Sequence, residues 1–497
     1  MRRVDRHADF DAAFEAARRE AQSAFGDSRV LIERYVETPR HVEFQILADR
    51  HGRIVHLGER DCSLQRRHQK MVEESPAPGM TAPLRAEMGR AAVRAAHTVG
   101  YVSAGTVEFI CDGAAGLRSG GFWFMEMNTR LQVEHPVTEA VTRLDLVEWQ
   151  FRIAAGERLA LPEDTTPSGH AVEARLYAED PDRGFLPSPG RIVALQWPDG
   201  AGIRVDTGVA AGDRVPPDYD PMIAKIIAHG PTRDEALDRL AVALGETVVV
   251  GPRVNTPFLK ALAEHPAFRA EKFDTGFIER HADELLHRDR AVEAGVIARG
   301  AAELLENERC RLAAVAAPHE TEWRDPWSAN DGFSLGPPRK LKIDILVDGL
   351  PRQAVVTWGA GGARVAFDGI AAGAVPPEGG GSTQARIVAV PDGVVIVVNG
   401  RQHHVSLLRY EAAGPSQGGA DGAVPAPMNG RIVALFVSAG ERVARGARVA
   451  AMEAMKMEHN LTAPIAGTVA EIFVAPGSQV TEDQIVLRIT ADAAADG

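Results

Sequence analysis

APMNGRIVALFVSAGERVARGARVAAM (residues 426–452) returns in altered form as APIAGTVAEIFVAPGSQVTEDQIVLRI (463–489), at a constant offset of 37. Ala426/Ala463, Pro427/Pro464, Gly430/Gly467, Phe436/Phe473, Val437/Val474, Gly440/Gly477, Val443/Val480 and Val449/Val486 are identical across it. Each half has strand spacing with turn glycines at the same offsets, which predicts two similar β units packed about a pseudo-two-fold axis. Between the halves lies EAMKMEHNL (453–461), whose Lys456 falls in the connection, at an exposed turn. Most lysines at turns are plain surface residues. Here two unbranched apolar side chains, Met455 and Met457, flank it where solvent is expected. A projecting, accessible amine is what is needed to attach a swinging cofactor.

Upstream, the chain changes character more than once. It has 497 residues, enough for roughly three domains at about 150 each. Apolar residues make up 45% and charged residues 25%, an ordinary globular balance that excludes a disordered or fibrous chain. The net charge of −13 argues against a sequence-independent hold on nucleic acid or anionic lipid. Three widely spaced cysteines, Cys62, Cys111 and Cys310, give neither a disulfide framework nor CxxC metal spacing and point to a reducing, cytoplasmic compartment. No apolar run approaches the roughly 20 residues of a membrane helix, and the start, MRRVDRHADF, lacks a signal peptide's apolar core.

Residues 1–290 alternate helical and strand patterns, as in an α+β or α/β catalytic core. Phe10–Phe25 has helical spacing, with Asp9 as its expected N-cap. Strands are expected at 30–36, 41–49, 53–59, 105–111 and 121–128, and a helix at about 84–99. An Ala-rich helical stretch at about 290–316 leads to short β patterns from Leu341 to Tyr410, as in a small antiparallel barrel, and then to a Gly/Ser/Ala linker at 412–424.

Some residues of the first half are odd for a mere core. Glu108 and Glu126 stand in the apolar runs TVEFI and FWFMEMN. One such glutamate reads as a surface residue. A pair on neighbouring strands, followed by Asn128 and Arg130, reads as a site, because two carboxylates offer the hard oxygens that Mg²⁺ or Mn²⁺ takes beside nucleotide phosphates. Arg130 lies four residues before Glu134, which fits either a structural ion pair or an anion fork beside a base.

EAMKMEHNL resembles the lysine hairpin of the biotinyl domain of biotin-dependent carboxylases, which makes Lys456 the biotin attachment site. The related lipoyl domain usually has DKA there. Residues 1–285 resemble the biotin carboxylase component, an ATP-grasp fold, most clearly in ERYVETPRHVEFQILAD (33–49), GERDCSLQRRHQKMVEESPAP (58–78), EMNTRLQVEHPVTE (126–139) and GHAVEARLYAEDP (169–181). The resemblance implies that Glu33, Arg34 and Val36 lie at the adenine hinge, Arg34 and Val36 acting through backbone groups. It implies further nucleotide contacts from His41, Gln65 and His68, and a metal held by Glu108, Glu126 and Asn128. Bicarbonate, a planar anion, falls to Arg130, with Gln132 and Val133 as pocket wall, Glu134 as base and Lys70 as a neutralising cation. Arg175 stabilises the biotin ureido oxygen as it becomes enolate-like.

The implied architecture is multidomain α+β. A partial ATP-grasp biotin carboxylase (1–285) is followed by a helical connector (286–340), a small antiparallel β-barrel docking domain (341–410), a flexible linker (411–424) and an all-β biotinyl barrel-sandwich (425–491). WRDPWSANDGF (323–333) precedes the barrel, which resembles the domain that docks onto a carboxyltransferase. This order is most similar to 3-methylcrotonyl-CoA carboxylase α subunits, with propionyl- and acetyl-CoA carboxylases as competitors. The roughly 140 residues from about 285 to 424 are too few for the carboxyltransferase that a pyruvate carboxylase carries there. The expected cofactors are covalent biotin, ATP and Mg²⁺ or Mn²⁺. The expected partners are a carboxyltransferase β subunit, a biotin protein ligase and bicarbonate, in a hetero-oligomer that meets acyl-CoA only through the partner. The family's nucleotide-binding-like domain and Gly-rich phosphate loop precede the motifs found here, so the chain reads as N-terminally truncated, with no biotin-dependent ATPase of its own expected. The rival reading is a catalytically silent biotin carrier and docking protein.

Overall fold

The computed structural model describes residues 2–161, 167–286, 294–315, 339–359, 362–371, 385–408, 422–427, 430–454, 457–481 and 484–491. Lys456, the stretch 323–333 and most of the linker lie outside them. Two compact units form, Met1–Ser168 with Glu271–Arg280, and Gly169–Ala270 with His281–Gly497.

The first unit opens with α1 (Phe10–Phe25) and continues through β1 (Pro39–Ala48), β2 (Ile54–Arg66), β3 (Gln69–Ser75), α2 (Ala82–Thr98), β4 (Ser103–Asp112), β5 (Phe122–Asn128), α3 (His135–Thr142) and α4 (Leu146–Ala154). Its strands lie in the order β3-β2-β1-β4-β5, and every pairing is antiparallel. The period of two in β1 sorts its side chains. Val42, Phe44 and Ile46 join Leu84, Met88, Ala92 and Ala96 of α2 in one apolar core. His41, Glu43 and Gln45 point to the other face, and all three are buried there. Thr81 caps α2 by accepting from the Leu84 N–H.

Two expectations fail here. Residues 30–36 form no strand; Leu31 is 90% exposed, and among the described residues no strand pairs with this run. An apolar β-prone run stays extended coil when no neighbour takes its hydrogen bonds. Asp9 also makes no capping bond to α1, because a 3₁₀ turn (His7–Asp9) runs straight into the helix and Arg6 takes the carboxylate at 2.7 Å.

In the second unit, β6 (His170–Tyr177) pairs with Met222–Gly230, which pairs with Ile203–Thr207. A seven-stranded antiparallel sheet spans Arg339–Leu407, with Ile370–Ala371 and Arg386–Val390 at its two ends. The helix Ala294–Val315, expected as a connector, shares a core with this sheet: Val296, Ile297, Ala301 and Leu304 pack with Ile345, Val356, Val394 and Val405. At Gly300 a Cβ would lie 2.4 Å from Ile396 Cδ1, so any side chain there would force the buried Ile396 to shift. No ladder joining the sheet's two ends into a closed barrel is found among the described residues.

The C-terminal repeat forms two four-stranded sheets. One is ordered Ala423–Pro425, Ile485–Ala491, Gly467–Ile472, Arg442–Val443; the other Met457–Thr462, Arg448–Ala454, Gly430–Leu435, Gln479–Val480. The offset of 37 maps each strand of one sheet onto its counterpart in the other. It maps the core onto itself as well: Val424/Leu461, Ala426/Ala463, Ile432/Val469, Val443/Val480, Val449/Val486, Ala450/Leu487 and Met452/Ile489 are all buried. Backbone bonds repeat too, Gly440 N–H to Val469 O matching Gly477 N–H to Ile432 O. Ala423 and Val424, expected in the linker, already belong to this sheet.

Candidate active site

Strand register assembles the site. Glu43 of β1 is the direct partner of Arg60 on β2 and of Glu108 on β4, and Glu108 is the partner of Glu126 on β5. Four ionisable residues from four adjacent strands therefore stand in one rank, although they are far apart in sequence.

Arg60 is fully buried, as is Glu43. A guanidinium has five N–H donors in a fixed planar fork. Here Nε donates to Glu43 Oε1 (2.6 Å), Nη1 to Gln45 (2.8 Å) and Thr138 (2.9 Å), and Nη2 to Thr106 and Gln132 (both 3.1 Å). Every donor has an acceptor. A buried charge held with fewer partners would cost several kcal/mol.

The other Glu43 oxygen accepts from Lys70 Nζ at 2.6 Å. Lys70, on β3 just past the hairpin, also donates to Glu134 and reaches Glu108 at 3.4 Å. Three carboxylates thus surround one ammonium. Burial alone would lower the lysine's pKa, but Cys62 and the carboxylates of Glu43, Glu134 and Glu108 outweigh it and raise it. The Cys62 thiol is itself pushed well up by burial and neighbouring carboxylates, so it is neutral and the three glutamates supply the charge. Burial would raise Glu43, yet Lys70 and Arg60 hold it at about 2. Glu108 is likewise held at about 2, against burial, by the His41 hydrogen bond (2.9 Å) and by Lys70.

Glu108 also accepts from Asn128 Nδ2 (2.8 Å) and Gln132 Nε2 (2.9 Å), and the same Asn128 nitrogen lies 3.5 Å from Glu126. Two carboxylates from adjacent strands converge on one amide, which can turn its oxygen toward them only if a cation lies between. The donor set is hard oxygen beside an exposed Glu126, and it fits Mg²⁺ or Mn²⁺.

The structure thus brings together His41, Lys70, Glu108, Asn128, Gln132 and Glu134, with Glu126 at the margin. Val133 lies beside them in the loop 129–134. Arg130 is exposed, its described hydrogen bond going to the Leu131 carbonyl. Glu33 and Arg34 are exposed in the 30–36 coil, Arg34 stacking 5.2 Å from the Trp123 ring, while Val36 is buried. Gln65 closes β2 opposite Lys70. His68 sits at the hairpin tip with Arg67, both at positive φ (68° and 49°). Arg175 belongs to the second unit, on β6 opposite Lys225. Glu43 and Arg60 join the site beyond the residues the motifs mark; polar residues at alternate positions in HVEFQ (41–45) are a signal for Glu43, and an arginine between two acids in GERDC (58–62) is one for Arg60.

Residues 1–161 match the carbamoyl-phosphate synthase L chain ATP-binding domain, 173–280 the biotin carboxylase C-terminal domain and 422–489 the biotin-requiring enzyme family. The chain is 39% identical to the mitochondrial methylcrotonoyl-CoA carboxylase subunit alpha of Dictyostelium discoideum, over 98% of this chain and 72% of that protein. It is 50% identical to the biotin carboxylase of Nostoc sp., over 54% of this chain and 59% of that protein. The biotin carboxylase domain of a thermophilic 2-oxoglutarate carboxylase, solved with bicarbonate, superposes with a TM-score of 0.54 at 44% identity, covering 57% of this chain and 63% of that one. The nucleotide-binding carboxylase, the biotin-bearing repeat and their order along one polypeptide therefore agree: the chain belongs to the α subunits of biotin-dependent acyl-CoA carboxylases, ligases that use ATP to carboxylate protein-bound biotin.

Proposed function

We propose that the carboxylate cage around Lys70 is the bicarbonate-activating centre and that the acyl-CoA served is 3-methylcrotonyl-CoA. The observation that carries the first part is the one half-buried ammonium shared by Glu43, Glu108 and Glu134. Such a cation keeps one carboxylate poised beside an incoming anion without charge repulsion expelling it. Arg130 and the amide of Gln132 hold bicarbonate against Val133, Glu134 takes its proton, and the freed oxygen attacks the γ-phosphorus of ATP as the bond to the β,γ-bridging oxygen breaks, giving carboxyphosphate and ADP. Lys70 offsets the negative charge gathered there. Glu33, Arg34, Val36, His41, Gln65 and His68 seat the nucleotide. Glu108, Glu126 and Asn128 would hold the divalent cation, which when bound screens the phosphate oxygens. Lys456 would carry biotin, which when bound would offer a ureido nitrogen as carboxyl acceptor, and Arg175 would steady the ureido oxygen.

The boundaries proposed are a carboxylase part at 1–285, a docking domain at 341–410 with the preceding helix as part of its core, and the carrier repeat at 425–491. The docking domain binds a carboxyltransferase β subunit, which supplies the acyl-CoA pocket. The proposed compartment is the cytoplasm, whereas the Dictyostelium relative carries the name mitochondrial. No helix among the described residues is long and apolar enough to cross a membrane.

The test is carboxylation by the assembled α and β subunits, the α subunit supplied at the full length of its relatives so that the phosphate-binding loop is present. Glu134→Gln should lower bicarbonate-dependent ATP cleavage by about 100-fold or more while nucleotide binding persists. Full turnover by that variant, or a preference for another acyl-CoA, would refute the corresponding part.

A further inference from the structure

We propose that Arg60 is a positioning residue for bicarbonate, acting by fixing which way the Gln132 amide faces. The inference rests on the reading of Gln132 as a bicarbonate contact.

An amide can be turned over at almost no cost in shape, and its oxygen and nitrogen ends have opposite chemistry. Gln132 is 4% exposed and held between two groups that cannot exchange roles. Arg60 Nη2 can only donate, and it takes the amide oxygen at 3.1 Å. Glu108 is an ionised carboxylate that can only accept, and it takes one amide N–H at 2.9 Å. The amide dipole is therefore locked between a buried cation and a buried anion. Its second N–H has no partner among the described residues and is the donor available to a ligand. Turned over, it would present an oxygen to an anion and set its nitrogen against a guanidinium.

The lock depends on the fork. Nε, both Nη1 protons and the other Nη2 proton are committed to Glu43, Gln45, Thr138 and Thr106, so the guanidinium cannot rotate. These anchors come from β1, β4 and α3, and Arg60 itself from β2. An ammonium at the same place would keep the charge beside Glu43, but its three rotatable donors could not serve acceptors spread around a plane.

The experiment is steady-state kinetics of the assembled α and β subunits, with bicarbonate and MgATP varied separately, for Arg60→Lys, Gln132→Ala and the double variant. The expected result for Arg60→Lys is a rise of about tenfold in KM for bicarbonate, the loss of one oriented hydrogen bond, with KM for ATP within about twofold of wild type. The double variant should be no worse than Gln132→Ala, because Arg60 acts through that amide. A folded Arg60→Lys enzyme with unchanged KM for bicarbonate, or additive losses in the double variant, overturns the inference. An unchanged KM for bicarbonate in Gln132→Ala instead overturns the reading of the pocket on which the inference rests. Should Arg60→Lys not fold, a crystal structure of the wild-type subunit with bicarbonate decides. Gln132 bridging Arg60 and the anion supports the role, and an amide turned away from Arg60 refutes it.

Discussion

Lys70 is the residue on which the cage turns. Replaced by methionine, it would strip one charge-assisted hydrogen bond from buried Glu43 and take from Glu134 the ammonium that donates to it. The expected outcome for Lys70→Met is a loss of roughly 3–5 kcal/mol in unfolding free energy, read by denaturant titration, together with loss of turnover. Asp49 offers a cleaner acid-dependence, away from the cage. It is buried at the end of β1, and its carboxylate accepts from the backbone N–H groups of His51 (2.8 Å), Arg53 (2.9 Å) and Leu159 (2.9 Å). Burial would raise its pKa, but these three bonds lower it overall. A folded pKa below the unfolded one stabilises the protein above the unfolded value of about 3.9, and that contribution is lost as pH falls through the folded value. Asp49→Ala should therefore cost roughly 1.5–3 kcal/mol at pH 7. The gap to wild type should narrow when unfolding is measured progressively below about pH 4; a gap independent of pH would contradict the account.

Among the elements, the β2–β3 hairpin shows what its residues exchange for their position. Arg67 and His68 are the two residues of a tight turn, both at positive φ, the sign pattern of a type I′ turn in which Asn-Gly is preferred. Replacing the pair by Asn-Gly should raise stability by about 1 kcal/mol, seen as a higher melting temperature. It should also weaken nucleotide binding by about five- to tenfold if His68 makes its proposed contact. The same element marks the limit of what the sequence reveals. The alternation in HVEFQILAD is plain to read, and so are the motif residues His41, Lys70, Glu108 and Gln132. The rank Arg60–Glu43–Glu108–Glu126 is not, because it arises from strand register set by partners far along the chain. The 30–36 run misleads for the opposite reason: its composition suits a strand, but composition does not supply a neighbour. For α1 the boundaries were legible and the cap was not, since Asp9 had a nearer cation in Arg6.

At the scale of the molecule, the C-terminal repeat should behave as a domain. Residues 422–491 expressed alone with a biotin ligase should gain the mass of one biotin, and Lys456→Arg should gain none; modification of that variant would place the attachment elsewhere. Met452 and Ile489 are mates in the core, both essentially unexposed. Met452→Ala and Ile489→Ala should each cost about 2–5 kcal/mol and nearly equally, because each leaves the same hole on opposite sides of the axis. The duplication also dictates how the cargo can travel. The strand by which the chain enters, Ala423–Pro425, is the mate of the end of Met457–Thr462, the strand leaving the lysine hairpin, and both lie at sheet edges. The two edge strands thus occupy equivalent places on the two sheets of one block, whose seven mated core pairs pack in a single core. A carrier of this kind delivers its payload as a crane swings a load on a stiff jib: the arc is set where the jib is hinged, and nothing inside the jib has to yield.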